Sequence, residues 1–368
     1  MKLLVVGAAP FIATPDGWVA YSPLVMEMDL WFDKVDHVTV MAPTSYDKPL
    51  LTKPLARQDI KVVSIPAFDM NSFGGIFRML WALPIIKVKM LIAMAKADHI
   101  HLRCPGNIGL ISSWMQLLFP RKIKTAKYAG NWDPESPQPW TYRLQKYLLS
   151  NSFLTRNMQV LVYGDWPNQS KNIKPFFTAT YWEKDKEALH ERSYTETIQM
   201  VYLGTLSANK RVDYAIELTA ELKNRGISIK FDVFGAGAEQ AKLKELAVKC
   251  ALEHEVVFHG NQPKEVVTSA LKKADFAILP SKSEGWPKAV AEAMFWGAIP
   301  LASAVSCVPW MLDYGNRGLL LDFKTDAETI QAMLSRPKRL RNMSAAAAAW
   351  SRQYTLDKFE SEIEMLLK

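Results

Sequence analysis

A chain of 368 residues, 49% hydrophobic and 22% charged, has the length for two or three domains and is too ordinary in composition to be disordered or fibrous. Its three cysteines, Cys104, Cys250 and Cys307, stand far apart and suit neither a zinc cluster nor a disulfide framework, which points to a reducing, cytoplasmic setting. The net charge of +8 lies wholly in the first half, where residues 1–175 carry 20 Lys and Arg against 12 Asp and Glu, so an anionic partner is expected there. Nucleic acid ranks lowest among such partners, because no recognition-helix, RNP-like or zinc-finger pattern accompanies the charge.

"MKLLVVGAAP" has too short an apolar run for a signal peptide and reads as a buried first strand ending in a Gly/Pro turn. "KLLVVGA", "HVTVMAP", "IKVVSIPA", "DHIHLR", "KTAKYAG" and "NMQVLVYG" predict strands, most of them separated by enough chain for a crossover helix. Segment 76–97 carries Arg78, Lys87, Lys89 and Lys96, no acid, and many large apolar groups. It suits a helix on an anionic membrane surface with Trp81 as anchor, and equally a core helix with a solvated basic face that Pro84 interrupts. Residues 104–120 lack charge but contain Gly, Asn, Gln, Ser and Pro, short of the roughly 20 apolar residues a span requires.

The pattern then restarts with "IQMVYLGTL", "IKFDVFGAG", "EVVFHG", "ADFAILPS", "AIPLAS" and "RGLLLD". Helical stretches such as "VDYAIELTAELKNRG" lie between them, with Ile216, Ala220 and Leu222 on one face and Gly226 as a stop. Two doubly wound α/β domains follow, 1–180 and 196–345, divided by the charge-dense polar stretch 175–196. Residues 346–368 end in an amphipathic helix free to pack across either domain.

In the second domain "ADFAILPS" ends a strand and "PKAVAEAMFWG" starts a helix. Ligands of open α/β sheets sit at this junction, where helix amino termini favour anions such as a diphosphate. The segment Gly285, Trp286, Pro287 and Lys288 is expected to line that ligand. Gly285 permits close approach of the backbone and Pro287 suits the first helical turn. Glu284, just before the turn, and Glu292, two helical turns on, would accept hydrogen bonds from hydroxyls at the two ends of a nucleotide sugar. The bare spacing also suits a helix cap at Glu284 and a solvated helical residue at Glu292.

"EGWPKAVAEAMFWGAIP" resembles the E-G-x-P-x-x-x-x-E-A-M-x-x-G-x-P signature of retaining GT-B glycosyltransferases of family 4. "YLGTLSANKRVDYAIEL" is similar to the family's G-R-L-x-x-x-K-G unit and "FDVFGAGAEQAKL" to its F-x-G-x-G-P-E; the likeness is dense from about 198 to 323. "TPDGWVAYSPLVMEM" looks like a degenerate form of the glycine loop after the first strand. The resemblance implies a GT-B fold, two Rossmann-like domains facing a central cleft, with the donor in the second domain and the acceptor in the first. It implies transfer of a sugar from a nucleotide diphosphate to a glycan or lipid-linked acceptor. The basic first half suits a cytoplasmic protein, either free or peripheral at the inner face of the membrane, and no cofactor or metal is expected, since no Asp-x-Asp pair stands at a strand end.

Carried over residue by residue, the resemblance makes Lys210 the phosphate lysine, Glu284 a contact of the donor sugar and Glu292 of the ribose. Gly260 and Asn261 face the base, Gly235 lies in the F-x-G-x-G match, and Gly17 belongs to the acceptor-side loop. Several positions depart from the pattern. Thr205 replaces the Arg of G-R-L, with Arg211 as the nearest second positive charge; "KYAGNWDP" lacks the family His and offers Asn131 and Asp133; "SCVPW" puts Ser306 and Cys307 in place of flexible glycines. A non-catalytic GT-B scaffold that binds nucleotide sugar, and a nucleotide-sugar epimerase, are the alternatives.

Overall fold

The computed structural model describes residues 1–46, 50–66 and 73–368; the Arg78 side chain lies outside the described residues. The chain divides into two compact units, Met1–Phe176 with Phe359–Lys368, and Phe177–Lys358.

The first unit runs β1 (Lys2–Val6), β2 (Phe11–Thr14), β3 (Gly17–Tyr21), α1 (Ser22–Asp33), β4 (His37–Ala42), β5 (Thr52–Pro54), β6 (Lys61–Ser64), α2 (Phe73–Lys96), β7 (His99–Cys104), α3 (Asn107–Met115), β8 (Ile123–Tyr128), α4 (Trp140–Ser150), β9 (Met158–Tyr163) and β10 (Ile173–Phe176). Its seven-stranded parallel sheet has the order β10-β9-β8-β7-β1-β4-β6. Leu3 to Val6 of β1 are buried without a break, because helices cover both faces of a parallel sheet. This is why β1 reads as an unbroken apolar run, whereas the polar residues of β7 and β8, such as His101, Thr125 and Lys127, are buried in side-chain contacts. All six strands expected in this half are present.

The expected glycine loop is a hairpin instead. β2 and β3 pair antiparallel, with Thr14 opposite Gly17, and β5 adds a third strand. Gly17, at φ +121°, closes the turn, and a Cβ there would lie 2.3 Å from Gln58 Oε1, which accepts the Trp18 N–H. Gly17 is therefore spent on the turn rather than set between a strand and a helix amino terminus. α2 also differs from expectation by running on through Pro84, anchored on its inner side by buried Ile86, Met90 and Met94.

Beneath the sheet, His99 Nε2 and His101 Nδ1 both meet Thr125 Oγ1, at 2.9 and 2.8 Å, and both rings lie against Trp31. Both histidines are thus part of the packing. Glu27 of α1 accepts from Arg103 at 2.7 Å and pairs with Lys127 at 3.0 Å. Burial alone would raise the Glu27 carboxyl, but the two cations prevail and hold it well below the usual carboxylate range.

The second unit runs β11 (Ile198–Leu203), α5 (Val212–Asn224), β12 (Ile229–Phe234), α6 (Gln240–Lys249), β13 (Val256–Gly260), α7 (Lys264–Lys273), β14 (Phe276–Leu279), α8 (Lys288–Phe295), β15 (Ile299–Ser303), α9 (Val308–Met311), β16 (Leu319–Leu321), α10 (Asp326–Leu334) and α11 (Pro337–Ser351). Its parallel sheet has the order β13-β12-β11-β14-β15-β16. Counted along the chain this is 3-2-1-4-5-6, the doubly wound order, which reverses between β11 and β14.

The stretch 175–196, expected to divide the domains, is built into this unit from Phe177 onward. Arg192, only 5% exposed, donates to the carbonyls of Ala274, Lys272 and Trp296 at 2.7–3.0 Å. A composition rich in charge hid a buried guanidinium that caps three backbone acceptors. The last helix, α12 (Leu356–Leu367), belongs to both descriptions, because residues 359–368 return to the first unit. There Phe359 packs on Phe176 at 5.3 Å between ring centres, and Glu362 pairs with Lys174 at 2.6 Å.

Candidate active site

The crossover point of the second sheet is where loop residues 204–211, after β11, meet 280–287, after β14. Three contacts join them. Lys282 N–H donates to Asn209 O at 2.8 Å, Asn209 Nδ2 to Ser283 O at 3.1 Å, and Lys210 Nζ to Glu284 Oε1 at 2.5 Å. Sequence analysis placed Lys210 and Glu284 in one site from positions 74 residues apart, and the structure brings them into direct contact. Lys210 is 23% and Glu284 9% exposed, so the pair is sheltered yet reachable from solvent.

The floor of the loop is aromatic. Trp286 packs among Phe177, Trp310, Trp350 and Tyr354, with ring centres 5.6–6.5 Å away, and is 6% exposed. This corrects the expectation that Trp286 touches substrate: its large apolar ring is worth more in the interior, where it pins the loop from below. Pro287 is buried as well and forms the cap of α8. The carbonyl of Gly285 accepts from Ser306 Oγ at 3.2 Å and Cys307 Sγ at 3.3 Å. Ser306 takes φ +51°, the left-handed conformation a glycine would otherwise supply, and burial pushes the Cys307 thiol up to about 12. The two residues that replaced glycines therefore fasten the loop. Lys288 opens α8 and its charge reaches Glu292.

Glu292, half-buried on α8, accepts from Thr180 Oγ1 at 2.7 Å. Burial raises its carboxyl above the ordinary value, partly offset by Thr180, Lys288 and Lys264. Thr180 lies in the stretch read as a linker, so composition gave no sign of it. Lys264 steadies it by donating to its carbonyl at 2.9 Å.

The glycine-bearing loops at the same strand ends are bonded edge to edge. Gly204 N–H donates to Phe234 O, Leu206 N–H to Ala236 O, and Gly235 N–H to Gly260 O, at 2.8–3.1 Å. A Cβ on Gly235 would lie 1.9 Å from Gly204 O, so Gly235 serves this backbone contact. Gly260, at φ +67°, faces open space, and Asn261 beside it is exposed. Thr205 is exposed, and its carbonyl accepts from Tyr202 Oη at 2.9 Å. Arg211, the expected second cation, lies over the Phe323 ring at 4.4 Å and the Tyr214 ring at 5.4 Å. Its left-handed backbone, φ +49°, turns it that way.

In the first unit Asn131 and Asp133 lie in the loop after β8 and hold each other. Asn131 Oδ1 accepts the Asp133 N–H, and Asp133 Oδ1 the Glu135 N–H, both at 2.9 Å. Sequence reasoning missed Lys146 beside them, which donates to Asp133 O at 3.1 Å and lies over Trp132. Burial brings its ammonium down to about 8, with Asp133 opposing.

Residues 183–350 match the model of the family described as glycosyl transferases group 1. The amylovoran biosynthesis glycosyltransferase AmsK of Erwinia amylovora is 30% identical over 159 residues, 42% of this chain and 38% of its own. The alpha-D-kanosaminyltransferase of Streptomyces kanamyceticus is 28% identical over 152 residues, 40% of this chain and 39% of its own. The match thus spans about two fifths of each relative's length. HepE of Anabaena, solved in complex with UDP, superposes over 100% of this chain and 99% of its own with a TM-score of 0.71 at 15% identity. Residues 183–350 thus resemble the group 1 glycosyltransferases, and the chain as a whole, with its two doubly wound units, has the fold of these GT-B structures.

Proposed function

We propose that the protein is a retaining glycosyltransferase that moves a hexose from a nucleotide diphosphate to a glycan or lipid-linked acceptor. The observation that carries this reading is the Lys210–Glu284 pair at the β11/β14 crossover. Lys210 lies where a leaving diphosphate would gather charge, next to the amino end of α8, so cation and helix start act on the same phosphates. Glu284 then exchanges part of its contact with Lys210 for hydroxyls of the transferred sugar. Glu292 and Thr180 offer acceptors to the ribose diol, and Gly260 with Asn261 frame the base. Asn131 and Asp133 stand on the acceptor side. In this reading the acceptor oxygen bonds to the anomeric carbon on the face that the diphosphate leaves, and a departing phosphate oxygen takes the acceptor's proton. Lys210 and α8 meet the diphosphate charge, so the reading calls for no metal or other cofactor.

The same fold holds UDP-glucose in HepE, which supports a nucleotide-sugar donor here. Among the described residues no helix is long and apolar enough to cross a membrane, and the basic first half suits an anionic acceptor at a membrane surface on the cytoplasmic side. A non-catalytic nucleotide-sugar scaffold is the second reading, favoured by Thr205 at the family's arginine position and by Arg211 turned onto Phe323. Incubation with UDP-, GDP-, ADP- and TDP-sugars separates the two. Slow release of one nucleoside diphosphate without acceptor, lost in Lys210→Ala, supports the transferase. Tight binding of a nucleotide sugar with no release in any acceptor mixture supports the scaffold.

A further inference from the structure

α2 carries two apolar stripes. Ile86, Met90 and Met94 face the core, each fully buried. Trp81, Ile85, Val88 and Ile92, spaced 4, 3 and 4 residues apart, form the opposite face at 72, 60, 55 and 52% exposure. Four large apolar side chains in one exposed row on a basic helix are the makings of an interfacial helix.

Beside this stripe lies a groove of about 680 Å³ between α2 and the amino-terminal ends of β1, β4 and β6. The volume falls in the range of small-molecule sites, about 300–1,000 Å³. Its wall is apolar, from Leu4, Val63, Ile92 and Ala93, and its rim is basic, from Lys2, Lys61 and Lys96; Lys89 lines it with its stem while its Nζ donates to Ser64 O at 2.9 Å. The acids on neighbouring strand ends already have partners: Asp36 meets the N-terminal amine and Asp98 accepts the Lys2 N–H. Substrates of doubly wound sheets bind at carboxyl strand ends, so a groove at the amino ends is a separate site.

We propose that this groove seats one anionic membrane lipid, its phosphate among the rim lysines and its first methylenes along the apolar wall. Ile92 belongs to both the groove wall and the exposed stripe, so a seated lipid stays continuous with the membrane on which α2 lies. The proposal rests on the reading of α2 as a membrane-facing helix and adds to it a stoichiometric, headgroup-selective site.

The test is calorimetric titration with short-chain phosphatidylglycerol below its critical micelle concentration, where no membrane surface exists. One equivalent is expected to bind. Lys61→Gln and Lys96→Gln, both on exposed side chains, should each weaken binding about fivefold, from the usual contribution of a lysine near an anionic lipid. Ala93→Trp, which fills the groove and leaves the stripe intact, should abolish it. Equal binding of short-chain phosphatidylcholine, equal binding of glycerol phosphate alone, or indifference to all three substitutions overturns the proposal. Flotation with anionic vesicles tells the two readings apart: flotation without short-chain lipid binding removes the groove and keeps the interfacial helix, and neither result removes both.

Discussion

Replacing Lys210 by alanine tests the site through two quantities that the structure separates. The first is stability. Breaking a fully buried ion pair costs about 3–5 kcal/mol and an exposed pair about 0.2–1. Here Glu284 is 9% exposed and Lys210 23%, so the carboxylate left behind is only partly wet, and about 1–2 kcal/mol is expected. For a unit of this size that is a fall in Tm of roughly 2–8 °C. The second is turnover. Losing a preorganised charge at the leaving group lowers kcat about 10²–10³-fold. Adding Glu284→Gln to Lys210→Ala removes the stranded carboxylate, so Tm recovers while turnover does not. The assays are thermal unfolding and release of nucleoside diphosphate from the donor. Unchanged kcat with a raised KM in Lys210→Ala, or turnover that returns together with Tm in the double variant, would refute the leaving-group role.

Glu292→Ala should weaken donor binding by about 1–3 kcal/mol, measured by titration. Because burial holds this carboxyl above the ordinary 4.5, it takes up a proton sooner than a solvated glutamate as pH falls. Donor affinity should therefore decline while pH is still above 4.5, and Glu292→Gln should flatten that profile. His99 titrates near 6.5 when unfolded and, through burial, near about 4 when folded. The unfolded chain binds more protons between those values, so stability is lost as pH falls from 6.5 toward 4, by up to about 3 kcal/mol, and less steeply in His99→Asn. Glu27→Gln leaves Arg103 and Lys127 without their anion and should cost about 3–5 kcal/mol by denaturant titration; a loss under about 1 kcal/mol would show that these cations do not depend on it.

The second sheet was legible because its strands are covered on both faces: Phe276 to Leu279 are all buried and read as one apolar run ending at the site. The same reading failed where burial is one-sided or absent. β5, "TKP", is exposed throughout, and β2 and β3 are short and bury only Phe11 and Ala20, so their few apolar residues merge with the turn between them. β10 contains Pro175, which suits its place at the sheet edge but argues against a strand in sequence. At the site, the family likeness put Lys210 and Glu284 in one place, but not in contact with each other; their direct pairing came from the structure. The fate of Trp286 did not, because an aromatic residue beside a binding loop can stack on a ligand or anchor the loop, and only its neighbours decide. Arg192 and Thr180 were hidden for a related reason: their partners are backbone carbonyls and a carboxylate far away in sequence.

The return of residues 359–368 to the first unit has a consequence for synthesis. Phe359, 1% exposed, fills a place against Phe176 and under the Lys127 ammonium, and Lys34 meets Glu360 and Glu364. The first 176 residues leave the ribosome early, but the aromatic ring that completes their core, Phe359, is encoded 183 residues after Phe176. At about 5–20 residues per second, that leaves an interval of roughly 10–40 s. During this time the second unit can form around its own sheet, while the unit made first waits with Phe176 and Lys127 uncovered. The nascent chain therefore finishes its domains out of the order in which it makes them.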